Sequence, residues 1–322
     1  MNALMKILLT SIGLIGLCNA CRAQVPPPEA RLSNGILEAV VYLPDPTNGY
    51  YRGGRFDWSG VMPELKYKGH TFFGQWFETY DPYVHDAIVG PVEAFDPIGY
   101  AEANVGGPFI KVGVGALNKL DTLPYHFAKP YPIVDHGTWD VDTGEDCISF
   151  THVLRRGPFP YEYKKVIRLV ENRMVITHML INEGTETMES QVFDHNFFVI
   201  DQDSIGPGYV VRFPFAISAQ TNRLAPFATI EGREIRFIKA LGPTDHPNLR
   251  YITGYRPIAA DNDITIENRN TGVGVRITCD RPITKLDFWS AAKTLCPEPY
   301  IEVNVGPGES FSWTITYAYY TL

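Results

Sequence analysis

Apolar and polar side chains alternate with a period of two along most of this sequence, which confines the chain to β structure. In Ser310–Ala318 the residues Phe311, Trp313, Ile315 and Tyr317 fall on one side, and Ser312, Thr314 and Thr316 on the other. Val273–Cys279 sets Val273, Val275, Ile277 and Cys279 against Gly274, Arg276 and Thr278. Cys147–Leu154, Tyr161–Leu169, Arg173–Asn182 and Met188–Phe198 repeat the pattern with many β-branched and aromatic residues. Successive side chains of a strand point to opposite faces, so each segment reads as a half-buried strand, and helical spacing is almost absent. Glu171-Asn172, Asn182-Glu183-Gly184, Asn270-Thr271-Gly272 and Gly306-Pro307-Gly308 supply turns between them.

About 15 strands are expected at this density, enough for one large antiparallel structure of two packed sheets. The run from Cys147 to Phe198 reads as consecutive antiparallel strands joined by short turns. No flexible linker or fixed-period repeat divides the chain, so residues 24–322 are expected to form a single all-β domain. With 45% apolar and 13% aromatic residues, the chain has ample apolar surface to offset its conformational entropy, which excludes disorder.

Residues 1–23 have the form of a secretory signal peptide. Lys6 precedes the apolar run Ile7–Leu17, and small residues follow at Ala20 and Ala23. The run is shorter than the roughly 20 apolar residues a bilayer span needs, and no other stretch is long enough to span. Cleavage after Ala23 predicts a secreted or periplasmic protein; acylation of Cys21 is the weaker alternative, because Cys18-Asn19-Ala20 is a poor lipobox. The leader holds two bases and no acid, so its loss takes the net charge from −8 to −10. Such a charge argues against a general nucleic-acid binder, which needs a basic surface to neutralise phosphates. Three cysteines then remain, Cys147, Cys279 and Cys296, none in a zinc spacing. A Cys279–Cys296 disulfide and three buried thiols are both compatible with that count.

Asn48–Leu123 lacks clean alternation. It carries Tyr50-Tyr51-Arg52-Gly53-Gly54-Arg55-Phe56-Asp57-Trp58, then Phe72-Phe73-Gly74-Gln75-Trp76-Phe77. Long irregular segments on a β scaffold are where binding residues tend to sit. Rings such as Trp76 can stack on the C–H faces of a sugar while Arg, Asp, Asn and Gln bond its hydroxyls; the bland alternative is a core-filling layer of rings. Three further features carry chemistry. Asp194-His195-Asn196-Phe197-Phe198 ends a strong strand on a histidine flanked by polar residues. Cys296-Pro297-Glu298-Pro299-Tyr300 brackets one carboxylate with two prolines that fix the backbone. Arg55 and His85 stand in the irregular segment.

Together these motifs resemble the aldose 1-epimerase (galactose mutarotase-like) superfamily. His195-Asn196-Phe197-Phe198 is similar to its His-x-x-Phe motif. Lys285-Leu286-Asp287-Phe288-Trp289 followed by Cys296-Pro297-Glu298 is similar to the aromatic strand and Cys-x-Glu segment that carry its catalytic glutamate. Gly54-Arg55 and His85 look like its early arginine and second histidine. Val305-Gly306-Pro307-Gly308-Glu309-Ser310 looks like its closing hairpin. Asp287 stands where the family often has Gln, and Gly69–Tyr83 looks like an insertion. The family Asp has only a positional counterpart, Asp245.

The resemblance implies a large antiparallel β-supersandwich and a catalytic pair, His195 as general acid and Glu298 as general base. Arg55, His85, Asp287, Trp289 and Trp76 are the residues expected to bind substrate, with one cleft shared by Arg55, His85, His195 and Glu298. The implied substrate is a monosaccharide or oligosaccharide, and no metal or other cofactor is called for. To stay charged at neutral pH, the imidazole needs a nearby anion such as Asp194 or Glu298 to raise its pKa. Because this architecture is reused, two other readings stand beside an epimerase: a polysaccharide lyase or hydrolase acting on an exported glycan, and a non-catalytic carbohydrate-binding protein.

Overall fold

The computed structural model describes residues 25–322, so the expected signal peptide, with Cys18 and Cys21, lies outside the described residues. Strands account for 49% of the described residues, which contain no α-helix, only the 3-10 turn Ala259–Asp261. Two sheets dominate. A ten-stranded sheet runs in the order Ala228–Glu231, Glu234–Phe237, Tyr209–Arg212, Asp263–Asn268, Val273–Cys279, Ser310–Thr321, Arg173–Asn182, Tyr161–Val170, Cys147–Leu154, Thr138–Thr143. A six-stranded sheet runs Ser218–Asn222, Asn248–Thr253, Lys285–Ala291, Thr294–Val305, Met188–Phe197, Gly90–Phe95. Neighbours in both are antiparallel, as in the pairing of Met188–Phe197 with Thr294–Val305. This is the expected all-β supersandwich.

The alternating segments form strands within a few residues of their expected bounds, for instance Tyr161–Val170 and Arg173–Asn182. The described residues hold 23 strands rather than about 15, because strands of two to five residues, such as His70–Thr71 and Glu64–Tyr67, are too short for a periodicity to register. Sheet membership also departs from expectation. Cys147–Leu154, Tyr161–Val170 and Arg173–Asn182 are consecutive neighbours, but Met188–Phe197 crosses to the six-stranded sheet. The closing turn Gly306-Pro307-Gly308 likewise joins strands of different sheets, so it bridges the sandwich instead of folding a hairpin; Gly308 adopts φ +73° there, a conformation that costs glycine little. Cys279 and Cys296 lie in different sheets, and both are free thiols, as is Cys147.

One face of the six-stranded sheet packs on the ten-stranded sheet, joining Val192, Leu286 and Ile301 to Ile277, Trp313 and Ile315 in the main core. The other face is covered by the irregular segment, whose Phe56, Trp58, Ile88 and Phe109 form a second core with Phe193, Phe197 and Tyr300. Each ring buried there contributes about 1.5–3 kcal/mol, which holds a segment with few ladder bonds of its own against the sheet. A buried ion cluster fastens the layers. Lys165 of the ten-stranded sheet bonds Glu93 of the edge strand Gly90–Phe95 and stands 3.3 Å from Asp57 of the irregular segment. His178 lies 2.6 Å from the second oxygen of Glu93, and all four side chains are fully buried. Burial opposes ionisation of Glu93, but Lys165 and His178 overcome it and hold the carboxyl below its ordinary range.

Candidate active site

Strand alternation decides which residues meet. Along Met188–Phe197, residues Phe193, His195 and Phe197 point outward beneath the irregular segment, whereas Asp194 and Asn196 point into the sandwich. The neighbouring strand Thr294–Val305 brings Tyr300 opposite Phe193 and places Glu298 beside His195. His195 Nε2 stands 3.4 Å from Glu298 Oε1, closing a sequence gap of 103 residues, and each side chain is about 4% exposed. Pro297 and Pro299 remove ladder donors on either side of Glu298 and fix its backbone, while Asn196 Nδ2 donates to Pro297 O at 3.3 Å.

The pair forms the floor of an open cleft of about 350 Å³, within the range of small-molecule sites. Arg55 lines one wall. It is held by an ion pair with Asp86 and lies 4.1 Å over the Phe127 ring. Arg250 and Lys285 line another wall, and Trp289 completes the cleft beside His195. Arg250 Nη1 is 3.0 Å from Asp287 Oδ2 and 3.8 Å from Glu298 Oε2.

The surroundings set the protonation of the pair. Burial pushes the Glu298 carboxyl up to about 7, with Asp287 adding to the rise and Arg250, Arg55 and Lys285 opposing it. Burial also drives the His195 imidazole well below its ordinary value, and the charges of Arg55 and Arg250 add to the drop. The imidazole is therefore not held charged as expected. Asp194 cannot supply the stabilising anion because it faces the sandwich interior, where burial and the charge of Glu93 raise its own carboxyl well above the usual range. Below about pH 7 the pair therefore holds one proton, and that proton resides mainly on Glu298. Lys111, at the far side of the cleft, is likewise pushed down to about 7 by burial.

Of the residues expected to share one cleft, Arg55, His195 and Glu298 do so, together with Trp289. His85 stands one step behind: its Nε2 is 3.1 Å from Asp86 Oδ2, so it braces the carboxylate that holds Arg55. Asp287 lies under Arg250, with its carboxylate occupied by three donors, Arg250, Lys285 and the Tyr251 amide. Trp76 is a backing ring rather than a wall, stacked on Phe197 at 5.2 Å and donating to Ile88 O. Asp245 accepts from the Gly242 amide in its own turn. Asp86, Lys111, Arg250 and Lys285 line the cleft without having been singled out as site residues in the sequence. The one signal for Asp86 was its place next to His85.

No family model matches the sequence, and no curated protein matches it. Solved structures do match in fold. The Slr1438 protein from Synechocystis sp. PCC 6803 superposes with a TM-score of 0.56 at 15% identity, over 98% of this chain and all of that one. A galactose mutarotase-like protein from Clostridium acetobutylicum gives 0.55 at 17% identity over 91% of this chain and 95% of that one. A putative aldose 1-epimerase from Escherichia coli K12 gives 0.53 at 14% identity over 91% and 99%. The chain therefore has the galactose mutarotase-like fold.

Proposed function

We propose that this protein is an aldose 1-epimerase-like isomerase that interconverts the α and β anomers of a free sugar by acid–base ring opening. The observation that carries this reading is the His195–Glu298 pair, 3.4 Å apart at the floor of a 350 Å³ cleft. Anomerisation needs the O1 proton removed while the ring oxygen gains one. The ring then opens to the aldehyde, C1–C2 rotates, and the aldehyde closes on the other face. In the assigned roles the Glu298 carboxylate takes the O1 proton and the His195 imidazolium protonates the ring oxygen; on closure each proton returns. The arrangement needs one proton shared by the two side chains, which is the state their environments favour. When that proton passes to His195, the carboxylate left on Glu298 lies 3.8 Å from Arg250, whose charge stabilises it while opposing the charge on the imidazole. Positioned acid–base groups of this kind contribute roughly 10²–10⁴-fold. Arg55 and Trp289 contact the sugar in this reading, the one bonding hydroxyls and the other offering a ring face.

Proton NMR of α-glucose and α-galactose, with and without protein, tests the activity. Glu298→Gln keeps size and hydrogen bonding but removes the base, so kcat should fall about 10²-fold or more while sugar binding persists. Wild-type anomerisation rates in that variant would remove Glu298 from the mechanism.

A further inference from the structure

Arg250 and Lys285 converge on a single carboxylate. Asp287 Oδ2 receives Arg250 Nη1 at 3.0 Å and Lys285 Nζ at 3.2 Å, so two cations share one buried anion; the other acids near them are Glu298, whose carboxyl burial raises to about 7, and Asp96 at the cleft lining. The remaining nitrogens of the Arg250 fork make no bond within the described residues, and its side chain is 43% exposed. Lys285 Nζ also sits 3.9 Å above the Tyr300 ring, which fixes its direction beside the cleft.

The backbone is bent to produce this arrangement. The ladder between Asn248–Thr253 and Lys285–Ala291 runs for only two residue pairs, Asn248 with Trp289 and Leu249 with Phe288, and then opens. The Asp287 side chain fills the opening, accepting the Tyr251 amide at 2.7 Å. Tyr251 takes φ +53° to present that amide, a conformation bulky residues rarely adopt and one that persists where the surrounding structure enforces it. The strained residue directly follows Arg250, so the strain is located where the guanidinium is aimed.

We propose that the sugar turned over in this cleft is a hexuronate whose C6 carboxylate is held by Arg250 and Lys285; the proposal rests on the anomerase reading. Position favours a carboxylate on the ring over a more distant anion. Arg250 Nη1 is 3.8 Å from Glu298 Oε2, so an anion bound there lies close to the atoms on which Glu298 acts. Counted from O1, the atom on which Glu298 acts, the carboxyl carbon of a hexuronate is four bonds away, whereas the phosphorus of a hexose 6-phosphate is six bonds away. The guanidinium fork also matches a planar carboxylate. A bound carboxylate offsets the positive field of Arg55 and Arg250 that disfavours the imidazolium of His195.

The test measures buffer-corrected anomerisation by proton NMR for glucuronate, galacturonate, glucose, galactose and glucose 6-phosphate on one preparation, at low and high salt. The expected result is a kcat/KM for a uronate about tenfold or more above that of its neutral counterpart, an advantage the size of one charge-assisted hydrogen bond, shrinking as salt screens it. Arg250→Gln and Lys285→Gln should each bring the uronate-to-neutral ratio towards one. That ratio compares two substrates on the same protein and so does not depend on how much of a variant folds. Equal or better turnover of neutral sugars, preference for the 6-phosphate, or an unchanged ratio in Arg250→Gln overturns the proposal and leaves the anomerase reading standing. Turnover of none of the five sugars ends both.

Discussion

The imidazole of His195 lies flat on the ring of Phe197, with centroids 3.9 Å apart and 8° between the planes. Trp76 stacks on the same ring at 5.2 Å and 8°, so the three rings form a column with the imidazole at its end. His195 Nδ1 has no hydrogen-bond partner, and its orientation is therefore set by stacking more than by bonding. Phe197→Leu removes the flat support while keeping the site apolar. It should lower kcat by about tenfold or more with a smaller change in KM, because small misplacements of an acid–base group are costly. Steady-state kinetics showing a KM effect alone would assign Phe197 to substrate binding.

The pH profile should carry its limbs in the reverse of the usual order. A carboxyl at about 7 and an imidazole well below its ordinary value share one proton between those two points. Activity should therefore fall above about pH 7 as Glu298 loses the shared proton, and fall on the acid side as His195 takes up a second. His195→Asn should lower kcat by roughly 10²-fold and abolish the acid limb assigned to the imidazole. An alkaline limb that survives in Glu298→Gln would show that it belongs to another group.

Asp287 raises the Glu298 carboxyl and anchors Arg250, so Asp287→Asn has two separable effects. Loss of its charge lowers the pKa of Glu298 and moves the alkaline limb to lower pH. Loss of the anchor frees Arg250 and raises KM. Movement of the limb to higher pH would contradict the electrostatic account.

Lys165→Met leaves Asp57 and Glu93 buried without their shared cation. Breaking a buried ion pair by removing one partner typically costs about 3–5 kcal/mol, and urea unfolding should show a loss of that order. Because Asp57 belongs to the segment over the cleft, proteolysis in residues 50–131 should accelerate in parallel. A variant as stable as the parent would mean that Lys165 is offset by some rearrangement of the cluster.

The alternation of Phe193, His195 and Phe197 gives their common face directly, and the prolines around Glu298 mark a backbone that needs holding. A period of two states which side chains share a face, but not which strand lies next door. That is why Met188–Phe197 and the Gly306–Gly308 turn are legible as strand and turn while their sheet crossings are not. Arg250 is silent in sequence for a related reason. In Asn248–Thr253 it occupies a polar position of a short strand whose buried residues, Leu249 and Ile252, are three apart, and its meaning comes from Asp287, 37 residues later. Trp76 and His85 are in the right neighbourhood for chemical reasons, but tertiary packing sets them behind Phe197 and Asp86.

Met188–Phe197 pairs with Gly90–Phe95 on one side and Thr294–Val305 on the other, each about a hundred residues away along the chain. During synthesis the histidine-bearing strand can gain its first neighbour early, yet one edge stays open until nearly the whole polypeptide has emerged. Closing loops of that length carries an entropic cost that is repaid only when the final pairing forms. A chain that stops between residues 197 and 294 keeps His195 but lacks both Glu298 and the strand that covers that edge. Such an unfinished molecule lacks the acid–base pair, and it presents an unpaired strand on which other chains can add.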